Sequence, residues 1–237
     1  VSNFNCSNLG DNTVTLTVTD TSGNSSSATA VVTVEDDLDP VAVTQDITVQ
    51  LDDNGQASIT ASDVDDGSGD NCSVTSLTLD ITSFDCSDLG ANTVTLTSQD
   101  ADGNSSSATA VVTVVDNIDP VAITQDLTVQ LDANGDANIS ASDIDNGSSD
   151  NCGIVSSVLD VSTFDCSNLG DNTVILTVTD ASGNSSSATA VVTVEDDLDP
   201  IAVTQDITVQ LDANGQASIS ASDIDDGSND NCGISNT

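Results

Sequence analysis

Aspartate is the residue type on which any chemistry of this chain must depend. Its 237 residues include 40 acidic side chains but no lysine, arginine or histidine, which gives a formal net charge of −40. Crowded carboxylates repel one another unless a cation lies among them. Proteins bind Ca²⁺ with about six to eight oxygens from carboxylates, amides and backbone carbonyls on flexible loops. We therefore expect the aspartate clusters of this chain to bind calcium.

The candidate ligands form two kinds of cluster, and both recur with a period of 80 residues. One is a short joint that ends in proline, at residues 34–40 in its first copy, and the other is an acidic loop at residues 63–71 that ends just before a cysteine. Neither follows the ligand order of an EF-hand. The predicted calcium ligands are Asp36, Asp37, Asp39, Asp63, Asp65, Asp66, Asp70, Asp116, Asp119, Asp143, Asp145, Asp150, Asp196, Asp197, Asp199, Asp223, Asp225 and Asp226.

Tight turns carry a third group of acids, at residues 20–24, 100–104 and 180–184. Each turn begins with Asp, ends with Asn and has a glycine before the Asn. Two interpretations stay open, because the aspartate could bind calcium or could simply cap the turn by accepting backbone N–H groups. The joints and acidic loops have a similar alternative, in which they are solvated surface that keeps neighbouring filaments apart.

The six cysteines are Cys6, Cys72, Cys86, Cys152, Cys166 and Cys232. A unit that runs from one proline to the next contains two of them, which predicts the disulfides Cys72–Cys86 and Cys152–Cys166. Each would close a loop of about 15 residues and stabilise the fold by roughly 3 kcal/mol. Cys6 and Cys232 would then pair outside this stretch or with a neighbouring copy. Disulfides are typical of oxidising compartments, so we predict an extracellular location, at a cell surface or secreted. Zinc binding is disfavoured because the chain has neither a CxxC motif nor histidine.

The composition also argues against several classes of function. Nucleic acids and anionic membrane surfaces both require cationic partners, which this chain does not offer. No stretch is apolar enough to cross a bilayer, and the N-terminus does not have the pattern of a signal peptide. Because the chain has no histidine, lysine or tyrosine to act as base or nucleophile, we predict that it is not an enzyme. A hydrolase would instead require a pocket of clustered carboxylates within one unit.

The elements that must position these residues are β-strands. Apolar and polar residues alternate over residues 41–51, and the sequence Asp-Asp-Asn-Gly at residues 52–55 predicts a hairpin. Six or seven such strands per 80 residues, without a helical period, predict an all-β chain: a tandem array of immunoglobulin-like antiparallel β-sandwich domains. The predicted domains are a C-terminal half-repeat at residues 1–39, complete repeats at 40–119 and 120–199, and an N-terminal half-repeat at 200–237.

Residues 84–104 carry a recognisable pattern. It consists of Phe-Asp-Cys at 84–86, Gly90, Asn-Thr-Val-Thr-Leu at 92–96 and Asp-Ala-Asp-Gly-Asn at 100–104. This pattern resembles the second half of hyalin repeats and related immunoglobulin-like domains, and the whole unit looks like the tandem repeats of very large secreted surface proteins of marine Bacteroidota. The resemblance covers the entire chain and implies an extracellular adhesion or scaffold role without catalysis.

The leading hypothesis is a structural segment of an extracellular filament or giant adhesin stalk, rigidified by Ca²⁺ at the acidic joints and by disulfides within domains. Proline at the end of each joint restricts the backbone and favours stiffness. The alternative is a repetitive binding module that contacts carbohydrate, ice or a partner cell through Thr/Ser-rich sheet faces. The predicted partners are further copies of the repeat, continuous in one longer chain or assembled as filament subunits, with lateral bundling as a further option.

Overall fold

The computed structural model describes residues 3–235 and divides into two compact units, Val1–Asn117 and Ile118–Thr237. The division falls two residues before the predicted boundary between residues 119 and 120, and the terms complete repeat and half-repeat are kept for the predicted segments. Residues 1, 2, 236 and 237, at the outer ends of the two half-repeats, lie outside the described part. The chain is all-β, with tandem β-sandwich domains, and over residues 3–235 its helical elements are only single turns between the strands.

The half-repeat of the first unit is one antiparallel hairpin. Strand β1 (Gly10–Thr19) pairs with β2 (Ser25–Val34) along its whole length, from Gly10 opposite Val34 to Thr19 opposite Ser25. A 3₁₀-helix at Cys6–Asn8 precedes it, capped by the Asn5 side chain, which accepts from the Ser7 N–H at 3.0 Å.

The complete repeat of the first unit contains two sheets. The larger sheet has the order β3-β8-β7-β5, and the smaller sheet pairs β4 with β6. The strands are β3 (Ile47–Gln50), β4 (Gln56–Ser58), β5 (Val74–Leu79), β6 (Ser83–Asp85), β7 (Gly90–Asp100) and β8 (Ser105–Val115). One helical turn, α1 (Ala61–Val64), includes the first two residues of the acidic loop, and a 3₁₀-helix at Cys86–Asp88 follows β6.

The complete repeat of the second unit has the same topology. Its larger sheet has the order β9-β14-β13-β11 and its smaller sheet pairs β10 with β12. The elements are β9 (Leu127–Gln130), β10 (Asp136–Asn138), α2 (Ala141–Ile144), β11 (Ile154–Leu159), β12 (Thr163–Asp165), a 3₁₀-helix at Cys166–Asn168, β13 (Gly170–Asp180) and β14 (Ser185–Glu195). The half-repeat that follows contains one regular element, the helical turn α3 (Ala221–Ile224), among its described residues.

The core of each complete repeat is made by the apolar faces that the alternation predicts. Val94 and Leu96 of β7 and Val112 of β8 are fully buried, and Phe84 of β6 is the single buried aromatic residue of this repeat. In the second unit, the equivalent side chains belong to one buried cluster that includes Phe164. Burying these small aliphatic side chains is the main source of stability of each repeat.

The expected antiparallel order is incomplete at one edge of each large sheet. β3 pairs in parallel with β8, and β9 pairs in parallel with β14. The predicted strand over residues 41–51 is therefore regular only at Ile47–Gln50. Upstream of it, Val41 and Thr44 make single bridges to the acidic loop, at Gly69 and Asp65. The segment changes partner part of the way along, which local alternation does not reveal.

The predicted hairpin at residues 52–55 is a turn, but the strands beside it do not pair. Gly55 has a φ of +71°, and its N–H donates to the Asp52 carbonyl at 2.8 Å. Positive φ is readily adopted by glycine, so the Asn-Gly signal is correct for the turn. The strand before the turn, β3, belongs to the large sheet, and the strand after it, β4, belongs to the small one. The turn thus carries the chain from one sheet to the other.

The predicted disulfide pairing is wrong, although all six cysteines are disulfide-bonded. Cys72 pairs with Cys6 rather than Cys86, and Cys166 pairs with Cys232 rather than Cys152, each across a sequence separation of 66 residues. Both bonds therefore join the 3₁₀-helix of one repeat to the cysteine that directly follows the acidic loop of the next. Within a repeat, Cys86 packs against the carbonyl of Gly55, whereas Asn71, the residue before Cys72, donates to Asp36 in the joint. The nearest cysteine in sequence is thus not the nearest in space.

Candidate metal centre

Three aspartates of the first unit meet where its half-repeat joins its complete repeat. Asp36, Asp70 and Asp100 each offer one carboxylate oxygen, and these oxygens lie within 4.8 Å of one another. Asp36 lies in the joint, Asp70 in the acidic loop and Asp100 at the end of β7. Asp36 is only 8% exposed and Asp100 only 4%. We call this group the junction cluster.

The turn after β7 holds Asp100 in place. Its Oδ1 accepts from the N–H groups of Gly103 and Asn104 at 2.7 and 2.8 Å, and its Oδ2 accepts from the Asn104 amide at 2.8 Å. The same Asn104 amide donates to the Asp36 carbonyl at 2.6 Å. One asparagine therefore connects the turn of the complete repeat to the joint that precedes this repeat.

The other two carboxylates are also fixed by their neighbours. Asp36 Oδ2 accepts from the Asn71 amide at 2.9 Å, and the Asp36 N–H donates to Asp102 at 2.8 Å. Asp70 Oδ2 accepts from the N–H groups of Cys72 and Ser73 at 2.8 and 3.2 Å. In metal sites, hydrogen-bond donors of this kind orient the carboxylates that contact the ion.

The charge of the junction cluster has no counterpart within the chain. Burial raises the pKa of Asp100, but the hydrogen bonds from Asn104 and Gly103 outweigh burial and hold the pKa below its ordinary value. Asp100 is therefore ionised at neutral pH. Because the sequence contains no cationic side chain, no ion pair with a side chain of the chain itself can neutralise this cluster.

The residues of the junction cluster fit calcium. Ca²⁺ holds its oxygen ligands at about 2.3–2.6 Å, so two ligands of one ion lie at most about 5 Å apart. The three carboxylate oxygens satisfy this condition, and all three come from loops or the end of a strand. Such an ion would neutralise the cluster and link the joint, the acidic loop and the turn.

The second unit contains the equivalents of two of these three carboxylates at its own junction with a half-repeat. Asp196 corresponds to Asp36, and Asp230 corresponds to Asp70. The Asn231 amide donates to Asp196 Oδ1 at 3.0 Å and to the Asp132 carbonyl at 3.1 Å. Asp230 Oδ2 accepts from the Cys232 N–H at 3.0 Å. Asp230 Oδ1 and Asn231 Oδ1 are buried and accept no hydrogen bond within the described part of the chain. Two oxygens are therefore left without a donor at this junction.

Close packing at this second junction requires glycine at residue 135. A Cβ added to Gly135 would lie 2.7 Å from the Cys166 sulfur and 3.0 Å from the Asn231 carbonyl oxygen, and the residue has a φ of +79°. The backbone thus approaches the Cys166–Cys232 disulfide too closely for any side chain.

Many of the other predicted ligands have local structural roles. Asp63 caps α1, because its Oδ2 accepts from both the N–H and the hydroxyl of Thr60 at 2.7 Å. These hydrogen bonds lower the pKa of Asp63. Asp143 and Asp223 cap α2 and α3 in the same way, and Asp65, Asp145 and Asp225 accept from the serine three residues later.

The remaining predicted ligands differ in exposure. Asp116 is buried at the end of β8, and Asp150 accepts from the Cys152 N–H at 2.8 Å. The exposed members are Asp37, Asp39, Asp66, Asp119, Asp197, Asp199 and Asp226. The sequence alone did not place Asp100 among the predicted ligands, because turn capping explains it equally well. The structure shows that Asp100 caps the turn and also belongs to the cluster.

One groove of the first unit is lined by several carboxylates, as the active site of a hydrolase would be. It is lined by Asp52, Phe84, Asp85 and Asp88 among others. Hydrogen bonds from Gln56 and Asn54 lower the pKa of Asp52, and those from Ser87 lower the pKa of Asp85. A carboxyl group that acts as general acid needs a raised pKa, so neither residue suits that role.

Comparisons with known proteins give similarities of fold. Among the described residues, no helix is both long and apolar enough to cross a membrane. No protein-family model and no curated protein matches the chain. Among solved structures, it is similar to mouse clustered PcdhgC3 EC1-3, with 15% identity, a TM-score of 0.34, and 79% of this chain and 78% of that chain covered.

Two further structures are similar at the same level. Protocadherin Gamma B2 extracellular cadherin domains 1-5 have 12% identity and a TM-score of 0.35, with 85% of this chain and 49% of that chain covered. Protocadherin Gamma C5 EC1-3 has 11% identity and a TM-score of 0.37, with 79% and 78% covered. The chain thus spans about half of the gamma B2 structure. At these identities and TM-scores, none of the three structures assigns the chain to a family or a function.

Proposed function

We propose that this chain is a structural segment of an extracellular stalk or filament, in which consecutive repeats are fixed to each other by a disulfide and by bound calcium. The junction cluster is the observation that carries the proposal. Asp36 belongs to the joint, whereas Asp70 and Asp100 belong to the repeat that follows. Cys72, two residues after Asp70, is bonded to Cys6 of the preceding half-repeat. The same junction therefore has a covalent link and a candidate ion site.

Both links would stabilise repeats whose cores are small. A domain of this size buries only about 60% of the surface that its unfolded chain exposes, so burial alone gives marginal stability. A disulfide that closes about 66 residues contributes about 4 kcal/mol in the chain-entropy estimate. Calcium at about 100 times its dissociation constant would add about 2.7 kcal/mol. Extracellular calcium modules bind with dissociation constants of about 10⁻⁴–10⁻³ M, which suits a secreted protein.

The resemblance of residues 84–104 to hyalin repeats of secreted surface proteins agrees with this role. A binding function through the Thr/Ser-rich sheet faces is the second candidate. In each hairpin, however, a threonine hydroxyl is hydrogen-bonded to the serine opposite it, as in Thr97 with Ser107 at 2.9 Å and Thr177 with Ser187 at 2.9 Å. Hydroxyls that are paired in this way offer fewer donors to a ligand. The structural role is therefore favoured.

The proposal is tested by calcium binding to Asp100→Asn, with Asp212→Asn as matched control. Both aspartates cap a turn by accepting two backbone N–H groups, but Asp212 is exposed and belongs to no acidic cluster within the described residues. Isothermal titration calorimetry should show one bound ion fewer per chain for Asp100→Asn and an unchanged number for Asp212→Asn. Equal stoichiometry in both variants would refute the site.

Hydrogen exchange tests whether the ion stiffens the junction. The Asp36 N–H donates to Asp102 and the Leu38 N–H to Asp36 Oδ1. Adding calcium to the chelated wild-type chain should slow exchange in the peptide that contains these two amides, and it should not do so in Asp100→Asn. If calcium left the exchange rate of that peptide unchanged in the wild-type chain, the proposal of a rigid joint would be contradicted.

A further inference from the structure

The chain contains four Asn-Gly pairs, at which an asparagine can lose its side-chain amide without an enzyme. The pairs begin at Asn54, Asn134, Asn146 and Asn214. In this reaction, the backbone nitrogen of the glycine attacks the Cγ atom of the asparagine, ammonia leaves, and a five-membered succinimide ring forms. Water then opens the ring. Asparagine is a thermolabile residue, and a following glycine favours the attack because its backbone is the least restricted.

Three of the four pairs lie in tight turns that hold both reacting groups. The N–H groups of Gly55, Gly135 and Gly215 donate to the backbone carbonyl three residues earlier, at 2.8, 2.9 and 3.0 Å. In each turn, the side-chain amide of the asparagine donates to the carboxylate of the aspartate two residues earlier, at 3.5, 3.2 and 3.5 Å. The attack therefore requires each of these turns to open first.

Asn146 is in a different environment. It lies in the acidic loop of the second complete repeat and is exposed. Within the described residues, its side-chain amide makes no hydrogen bond, and the Gly147 N–H donates to no backbone carbonyl. The Gly147 N–H faces the Asp145 carboxylate, and of the hydrogen bonds that lower the pKa of Asp145 it contributes the least. Both reacting groups are thus less restrained here than in the three turns.

The space around Gly147 allows the loop to rearrange. Gly147 has a φ of +90°, and a Cβ added to it would have no other atom within 4 Å. At Gly135, by contrast, an added Cβ would lie 2.7 Å from the Cys166 sulfur. The peptide bond between Asn146 and Gly147 therefore has room to turn toward the asparagine side chain, whereas the one before Gly135 is packed against a disulfide.

The other two acidic loops carry aspartate, which is a product of this reaction, at the position of Asn146. The equivalent residues are Asp66 and Asp226, and glycine follows both. The backbone is the same in all three loops. The Asn146 N–H donates to the Ile123 carbonyl at 2.9 Å, and the N–H groups of Asp66 and Asp226 donate to the equivalent carbonyls at 3.0 and 2.9 Å. Aspartate therefore fits this position without a change of the backbone.

We propose that Asn146 is a site of spontaneous deamidation in the folded chain, which gives this acidic loop the Asp-Gly sequence of the other two. The side-chain nitrogen leaves as ammonia, and one water molecule supplies the new carboxylate oxygen, so no oxidant or reductant is needed. Opening of the succinimide at its other carbonyl gives isoaspartate, in which the backbone runs through Cβ. That product lengthens the backbone beside Ser148, whose hydroxyl accepts from the Ile123 N–H at 2.9 Å.

Mass spectrometry tests the proposal with the other three pairs as internal controls. The folded wild-type chain is incubated at mildly alkaline pH and digested with pepsin in acid, and the four Asn-Gly peptides are analysed separately. Asn146 should be deamidated at least about tenfold faster than Asn54, Asn134 and Asn214, because each of their turns must first lose hydrogen bonds. In concentrated urea, all four rates should become similar. Equal rates in the folded chain, or an equal advantage of Asn146 in urea, would overturn the proposal.

The variant Asp66→Asn tests the loop geometry in a second place. It creates an Asn-Gly pair in the first complete repeat, where residue 66 is exposed and Gly67 has a φ of +91° with no atom within 4 Å of an added Cβ. Residue 66 of this variant should be deamidated about as fast as Asn146. Asn146→Asp should fold like the wild type and supplies the reference peptide for the aspartate product. If residue 66 of Asp66→Asn reacted no faster than Asn54, the loop would not promote the reaction and the proposal would fail.

Discussion

Ser98 is the residue at which the two complete repeats differ most plainly in their cores. It is fully buried on β7, and its hydroxyl has no hydrogen-bond partner among the described residues. The equivalent residue of the second repeat is Val178, which is also fully buried. A buried hydroxyl without a partner costs about 1–3 kcal/mol. This cost falls on only one of two otherwise similar domains.

Ser98→Val should therefore stabilise the first unit by about 1–2 kcal/mol, because it replaces the unpaired hydroxyl with the side chain that the second repeat uses. The measurement is the midpoint of urea unfolding at constant m-value. The reverse substitution, Val178→Ser, is the control and should destabilise the second unit. If Ser98→Val left the midpoint unchanged or lowered it, the hydroxyl would have a partner or the cavity would not fit valine.

Residue patterns also explain how much of the site could be found from the sequence. The joint and the acidic loop were identified because their carboxylates are crowded, and Asp36 and Asp70 do meet. Asp100 was less visible, because an aspartate before Gly-Asn is fully explained by turn capping. Which loop residues converge depends on how one repeat sits on the next, and no local pattern in the chain records this.

At the scale of elements, alternation predicted the strands and their buried faces but not all of their partners. In β7, Val94 and Leu96 alternate with threonines and are fully buried, and Phe84 of β6 is buried as well. The parallel neighbour of β3 was missed, because a strand's partner is decided by packing across the sandwich and not by its own sequence. The disulfides were mispaired for a related reason: proximity along the chain is a poor guide, because within each unit the bond joins the half-repeat to the complete repeat.

The disulfide between elements of consecutive repeats gives a direct test. In Cys6→Ser, the partner left with a free thiol should be Cys72, and in Cys232→Ser it should be Cys166. Alkylation of the denatured, unreduced chain followed by mass spectrometry locates that thiol, with the wild type as control, since all six of its cysteines are bonded. Cys6→Ser should also lower the stability of the first unit by about 4 kcal/mol, from the loop of about 66 residues that is no longer closed. A label on Cys86 would show that the pairing is different.

At the scale of the whole molecule, the net charge of −40 opposes the compact state. Charge repulsion of this kind is screened by salt, and the Debye length falls from about 30 Å at 0.01 M to about 8 Å at 0.15 M ionic strength. Any salt should therefore raise the free energy of unfolding. Screening does not distinguish one divalent cation from another, whereas a site built from loop carboxylates does. The two contributions can be separated by the choice of ion.

We expect CaCl₂ at a few millimolar to stabilise the chain more than MgCl₂ at the same ionic strength. Mg²⁺ demands near-ideal octahedral geometry at about 2.0–2.1 Å and gives up its water reluctantly, while Ca²⁺ accepts irregular carboxylate sites. Differential scanning calorimetry in both salts, with NaCl at matched ionic strength as the baseline, measures the difference. Asp100→Asn should lose part of the calcium-specific stabilisation, because it removes one ligand of the junction cluster. Its response to NaCl should stay the same, because only one of the 40 acidic charges is lost. Equal stabilisation by calcium and magnesium in the wild type would mean that the aspartates act only as a diffuse charge that salt screens.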